Sequence, residues 1–197
     1  MKFFTSDTHF GNDAYQILDR EYRPFKIPQE YANFQIDLWN NQTSENDIIY
    51  HWGDFCNYKS KEHDFESGLL YVKKIKAKVV LIIGNNEERV IEHFFNGSFA
   101  EFKKYCLNIG FLDVVKNCEI TINEEKFYLV HKPSEHHPTI FTLFGHLHKI
   151  TGIWKPFGLN VGTDLKYFSL FSENDILDLK TKKEKYFDED LDINCFK

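Results

Sequence analysis

The sequence predicts an α/β fold built in layers. Short apolar runs in its first half alternate with longer stretches at helical spacing, and each run ends in a polar or glycine-containing turn. The length of 197 residues adds a third consideration, since it suits one compact domain with room for a sizeable core.

Residues 1–5 read as the first strand and 47–51 as the second. Residues 78–83, nearly all apolar, read as a third strand buried on both faces. Between them, 29–39 reads as a helix whose Tyr31, Phe34, Ile36 and Leu38 form a mostly apolar face, and 61–75 as another. The second half changes rhythm: 119–122, 126–131, 139–144 and 174–179 read as strands of a second, more antiparallel sheet. Asn123-Glu124-Glu125 sits where a hairpin turn belongs, and a helix over 99–108 should end at Gly110. We therefore expect a single domain over 1–180, followed by a charged, solvated tail over 181–197 that includes Asp188-Glu189-Asp190.

Composition removes several classes of function. A net charge of −6 argues against a surface built to grip long nucleic acid, though not against a small anion held through metal ions. Cys56, Cys106, Cys118 and Cys195 include no Cys-x-x-Cys pair, so reduced thiols are expected rather than a disulfide framework or a zinc knuckle. Polar Ser6-Asp7-Thr8-His9 follows a five-residue apolar start, too short for a signal peptide. No apolar run approaches the ~20 residues that cross a bilayer. A soluble cytoplasmic protein is the expectation.

Each early strand ends in groups able to hold a metal: Asp7-Thr8-His9, then Gly53-Asp54, then Gly84-Asn85. Later strands give His131 and Gly145-His146-Leu147-His148. In a parallel sheet the carboxyl ends of strands line one crevice, so groups distant in sequence would converge. Mixed oxygen and nitrogen donors without thiolate suit borderline cations better than calcium. Asp-x-His and His-x-His each place two side chains on one side of an extended segment.

Taken in order, these five motifs resemble the calcineurin-like metallophosphoesterase superfamily, from Asp7 to about Asp164. The match is similar to the small single-domain bacterial and phage members through Ser6-Asp7-Thr8-His9-Phe10-Gly11, Arg23-Pro24-Phe25, Tyr50-His51-Trp52-Gly53-Asp54-Phe55 and Asn160-Val161-Gly162-Thr163-Asp164. The resemblance implies an α/β/β/α sandwich, two sheets face to face with helices outside. It implies two divalent cations, manganese first, with Fe, Zn, Ni or Mg as alternatives. Asp7, His9 and His148 would hold one cation, Asn85, His131 and His146 the other, and Asp54 would bridge them. Water between the metals would attack phosphorus in line with the leaving oxygen. Asp54, Asn85, Asn86 and His146 are the residues the resemblance sets at the chemical step.

The third motif departs from the family pattern. Gly84-Asn85-Asn86-Glu87 has Asn86 where relatives carry a histidine, and an amide can donate a hydrogen bond but cannot act as a general acid. Asn12 likewise replaces a usual histidine, and His136 or His137 is a conjectural substitute donor. These departures favour a phosphodiester, small or nucleotide-like, over a phosphomonoester. A nuclease, or a binding scaffold that has lost its chemistry, are the rival readings. The bland reading applies elsewhere: His63 and His93 as surface residues, His51 as a core histidine or a partner behind the ligands, and Arg23 as paired with a surface carboxylate. Trp52, Tyr58 and Trp154 read as packing residues, and Asp164 as supporting rather than ligating.

Overall fold

The computed structural model describes residues 1–58, 64–149 and 152–186. Its first sheet has the order β10-β1-β2-β3-β4, with β1 (Lys2–Thr5), β2 (Ile48–Trp52), β3 (Lys78–Ile82) and β4 (Asp113–Val115) parallel and β10 (Phe171–Ser172) antiparallel at the edge beside β1. Its second sheet has the order β5-β6-β7-β9-β8, formed by β5 (Cys118–Ile122), β6 (Glu125–Leu129), β7 (Thr142–Phe144), β8 (Trp154–Lys155) and β9 (Gly158–Asn160). This sheet is mixed, with β6, β7 and β9 parallel and antiparallel pairs at both edges.

Alternation along the first sheet decides the layering. Phe3, Ile49, Val79 and Leu81 face a cluster shared with the helices, while Phe4, Trp52 and Ile82 face Ile122, Phe127, Leu129, Leu143 and Leu159 of the second sheet. The result is the sandwich the resemblance implied. α2 (Pro28–Gln42), α3 (Asp64–Leu69), α4 (Asn85–Phe94) and α5 (Phe99–Ile109) share the first cluster; α6 (Glu173–Tyr186) packs beside β10, β1 and β9.

The expected helix over 29–39 is α2, begun by Pro28 at its first turn, where the missing N–H has no cost. Its buried face is Tyr31, Ala32, Gln35, Ile36 and Trp39, the true 3.6-residue stripe; Phe34 stands outside it, half exposed. The Asn123-Glu124 turn joins β5 to β6 with both residues at positive φ, 46° and 71°, as a two-residue hairpin of matching twist requires. α5 is capped by Ser98 and stopped at Gly110, φ 126°, as read from the sequence.

Three expectations are corrected. Residues 174–179 are not a strand but part of α6, because the Ser172 hydroxyl and the Asp175 carboxylate cap each other's backbone N–H and start a helix there. The 61–75 helix is α3 followed by a 3₁₀ turn over Leu70–Lys74; its first three residues, His63 among them, lie outside the described residues. The 139–144 strand shortens to β7, since the His137 ring accepts the N–H groups of Thr139 and Ile140. α1 (Tyr15–Arg20) and α4 are helices that the sequence reading left out. The 181–197 tail falls largely outside the described residues; α6 carries the chain as far as Tyr186.

Candidate metal centre

The carboxyl ends of β1, β2 and β3 in one sheet meet those of β6 and β7 in the other, and all seven predicted ligands gather at that junction. Asp7, His9, Asp54, His131 and His148 are buried; Asn85 is half-buried and His146 exposed. Two triads drawn from the predicted ligands have donor atoms within 4.8 Å of one another, Asp7, His9 and His148, and Asp7, Asp54 and His131; a third, Glu21, His148 and Asp164, lies behind His148. His146 and His131 join Asn85 through its side-chain oxygen, at 2.8 and 3.0 Å.

Tight turns make this convergence possible. Asp7, His9, Asp54, His146 and His148 all take positive φ, between 47° and 70°, which non-glycine residues do at a cost of about 1–3 kcal/mol each. Glycine is required where two turns touch: a Cβ on Gly53 or Gly84 would strike the other's loop, and one on Gly145 would strike Ser6 and Asp7. Glu87, to which the sequence reading gave no role, ties the β2 and β3 turns together. Its carboxylate accepts from the backbone N–H of Gly84 and Asp54 at 2.8 Å, Phe55 at 2.9 Å and Cys56 at 3.2 Å. Burial and then the Asp54 charge push its carboxyl up to about 7, against the pull of those N–H groups. Its place three residues after the helix-capping Gly84 was the available signal.

His148, His131 and His9 each have a partner behind the ring. His148 Nδ1 donates to Asp164 at 3.2 Å, leaving Nε2 facing Asp7 at 3.8 Å. His131 Nδ1 donates to the Trp52 carbonyl, leaving Nε2 facing Asp54 and Asn85. His9 Nδ1 lies 3.1 Å from Asn86 Nδ2 and its Nε2 faces Asp54 at 3.6 Å; for Nε2 to offer a lone pair to a cation, the Asn86 amide must present its oxygen to Nδ1 instead. His9 Nε2 is buried with no hydrogen-bond partner among the described residues, an orphan that a cation would satisfy. Burial first, and then the charge of His148, hold His9 well below the usual imidazole value, so it presents a neutral donor. His146 is lowered by burial and by His131. Burial also opposes charge on His131 and His148, but Asp54 and Asp7 outweigh it for the former and Asp164 for the latter.

Arg23 is fully buried, which corrects the expectation of a surface pair. Its guanidinium donates to Asp164 at 2.8 and 2.9 Å and to the carbonyls of Asp7 and Thr8 at 2.7 and 2.9 Å, fixing the first motif and the support of His148 at once. His51 is a buried partner of Thr8, at 3.0 Å. Trp52 is buried and Trp154 is partly exposed, with its N–H on the Leu179 carbonyl. His93 is exposed, as expected. The conjectured donors are elsewhere: His136 stacks on Phe157, and neither it nor His137 lines the cavity over the ligands; Asn12, the other departure, accepts from Gln29 and lies outside the lining too. That cavity, about 470 Å³, is walled by α1, by Asn57 and Tyr58, and by the first turns of α4.

An α/β sandwich with carboxylate, amide and imidazole donors gathered at its strand ends defines a metal-site hydrolase fold. The calcineurin-like phosphoesterase family model matches residues 3–190, and the chain belongs to that family. A relative among curated proteins, an uncharacterized protein of Methanocaldococcus jannaschii, is 31% identical over 96 residues, 46% of this chain; the match spans about half of that protein's length, 52%. The crystal structure of a protein of unknown function from Aquifex aeolicus shares the fold, with TM-score 0.62 and 18% identity over 91% of this chain and 98% of that one. The phosphoesterase YfcE of E. coli superposes more loosely, with TM-score 0.43 and 14% identity over 82% of this chain and 77% of its own. Among the described residues no helix is long and apolar enough to cross a membrane.

Proposed function

We propose that the chain is a dinuclear-metal phosphodiesterase acting on a small or nucleotide-like diester, with manganese the cation to test first. The observation that carries this reading is the setting of Asp54. One of its oxygens stands 3.6 Å from His9 Nε2 and the other 3.6 Å from His131 Nε2, so a single carboxylate faces two buried imidazoles whose other nitrogens are already engaged. Such a carboxylate suits a bridge. Asp7, His9 and His148 would hold one cation, and Asn85, His131 and His146 the other.

When bound, the cations would supply Lewis-acid charge against the phosphoryl oxygens and lower the pKa of water. The chain's own residues position and exclude. Asn86 N–H fixes the Asp54 carboxylate at 2.9 Å, and His146 N–H fixes that of Asp7 at 3.0 Å. The exposed His146 ring lines the cavity, open to an incoming substrate. Asn86 lines the cavity but carries no titratable proton, which supports substrates whose leaving oxygen departs without an acid, and hence diesters over monoesters. A cytoplasmic setting fits the free Cys56, Cys106 and Cys118.

Manganese-reconstituted protein should carry two ions per chain and hydrolyse bis-p-nitrophenyl phosphate faster than p-nitrophenyl phosphate. Fewer than one ion per chain, or the reverse preference, would defeat the reading.

A further inference from the structure

Arginine is scarce in this chain. There are three arginines against 21 lysines, so lysine is the default cation of this composition. All three arginines are at the site: Arg20 and Arg89 line the cavity, and Arg23 lies beneath it on the Asp7 and Thr8 carbonyls. Among the described residues no lysine lines the cavity. The difference between the two cations is geometric. A guanidinium offers a planar fork that matches two oxygens of a phosphate, whereas an ammonium is a point charge.

Two of the three have tasks within the ligand set. Arg23 clamps the first motif, and Arg20 lies with Nη2 3.3 Å from His148 Nε2 and Nε 2.8 Å from Glu21. Arg89 touches none of the ligands. It stands exposed on the second turn of α4, its guanidinium 5.9 Å from the centre of the Tyr58 ring, and Tyr58 is in turn tied to His93 through its hydroxyl at 3.2 Å. Among the described residues no carboxylate pairs with Arg89. An arginine braced against an aromatic face, open to the cavity and away from the ligands, is placed for a part of the substrate other than the scissile group.

We propose that Arg89 forms a second anion subsite, so that the substrates of this centre are phosphodiesters carrying an additional phosphate. The inference rests on the phosphodiesterase reading above, and it names the substrate class more narrowly. It also gives a role to the lining arginine that no described carboxylate pairs with: Arg20 is tied to Glu21, and the carboxylates of Glu21 and Asp54 line the same cavity.

The test compares two diesters that differ only in the extra phosphate: thymidine 5′-(p-nitrophenyl phosphate) and the same compound bearing a 3′-phosphate. With manganese-loaded wild-type protein, kcat/KM should be about 10- to 100-fold higher for the second, the range expected of a charge-assisted Arg–phosphate contact. In Arg89→Ala that advantage should collapse to within about twofold, while Lys132→Ala, on a cation outside the cavity, should keep it. Equal kcat/KM in wild type, or an advantage that survives in Arg89→Ala, would overturn the subsite. If neither compound is hydrolysed, calorimetric titration with adenosine 3′,5′-bisphosphate and with adenosine 5′-monophosphate decides. Tighter binding of the bisphosphate that depends on Arg89 would keep the subsite and defeat the phosphodiesterase reading, and equal binding of the two would defeat the subsite.

Discussion

The two sheets contribute to the centre in different ways. The first delivers Asp7, His9, Asp54 and Asn85 from turns that follow three parallel strands directly, and those turns are locked to one another by Glu87 and by the Gly53–Gly84 contact. The second delivers only imidazoles, in a graded series. His131 and His148 are buried and aimed by partners behind them, while His146 is exposed and held chiefly through Asn85. In the proposed centre, the carboxylates and His9 on the locked turns of the first sheet would set where cations sit, and the imidazoles of the second sheet would complete their coordination, His146 being the one most open to replacement by water.

That contrast predicts unequal consequences of losing a ligand. Asp54→Ala removes the carboxylate that faces both His9 and His131, the proposed bridge, and should leave no turnover above background at any manganese concentration. His146→Ala should lower activity severely at micromolar manganese yet recover a substantial part of it at millimolar manganese, because only affinity at an exposed position is lost. Titrating activity against manganese for both variants checks this. Complete loss in both, regardless of metal, would erase the distinction between the sheets.

A smaller effect probes the aiming of the imidazoles. Asp164→Asn keeps the shape of the support behind His148 but weakens the charge that holds its Nδ1–H, and should cost about 10- to 100-fold in metal affinity. The folded chain should otherwise be intact by circular dichroism. Unchanged affinity would mean that the Arg23 clamp alone positions His148.

Asn86→His tests the first sheet in the opposite sense, by restoring a titratable group beside His9. Turnover on diesters with poorly acidic leaving groups should rise by up to about 10², with little change on p-nitrophenyl esters. An equal change on both would place the residue outside the protonation of the leaving oxygen.

The same division explains what the sequence made legible. The three early strands are apolar runs with chemistry at their ends, and parallel geometry brings such ends together without further information. The ligands could therefore be named before the fold was known. Partners that join distant segments were not legible: Arg23 reaches Asp164 across 141 residues, and only the packed structure shows that both are buried. α4 went unread because Gly84-Asn85-Asn86-Glu87 stood out as a site motif, and because its apolar face, Val90, Ile91 and Phe94, begins only in the second turn. The second sheet is the more antiparallel of the two, as read, with antiparallel β5–β6 and β8–β9 pairs between neighbours in the chain; the parallel β6–β7–β9 core was not legible, because those strands are three to five residues long and pair across intervening segments.

The misread segment at 174–179 allows the finest test, because there a local signal was present and was outweighed in reading by β-like apolar spacing. Two helix starts differ in how they are held. At α5 the Ser98 hydroxyl alone accepts the Glu101 N–H, at 3.3 Å. At α6 the Asp175 carboxylate also accepts the N–H and hydroxyl of Ser172, both at 2.7 Å, and pairs with Lys166 at 2.6 Å. Burial works against ionising Asp175, but the bonds from Lys166 and Ser172 prevail and hold its carboxyl below the usual aspartate value. The group is thus depressed in the folded state, so its contribution is present above about pH 4 and fades as pH falls through the folded-state value below that. Asp175→Ala should therefore lower stability by about 1 kcal/mol at neutral pH, with the gap from wild type closing in urea titrations run below pH 4. A gap that stayed constant down to pH 3 would mean that the Ser172 hydroxyl holds α6 alone, as Ser98 holds α5, and that the carboxylate adds no charge-dependent support.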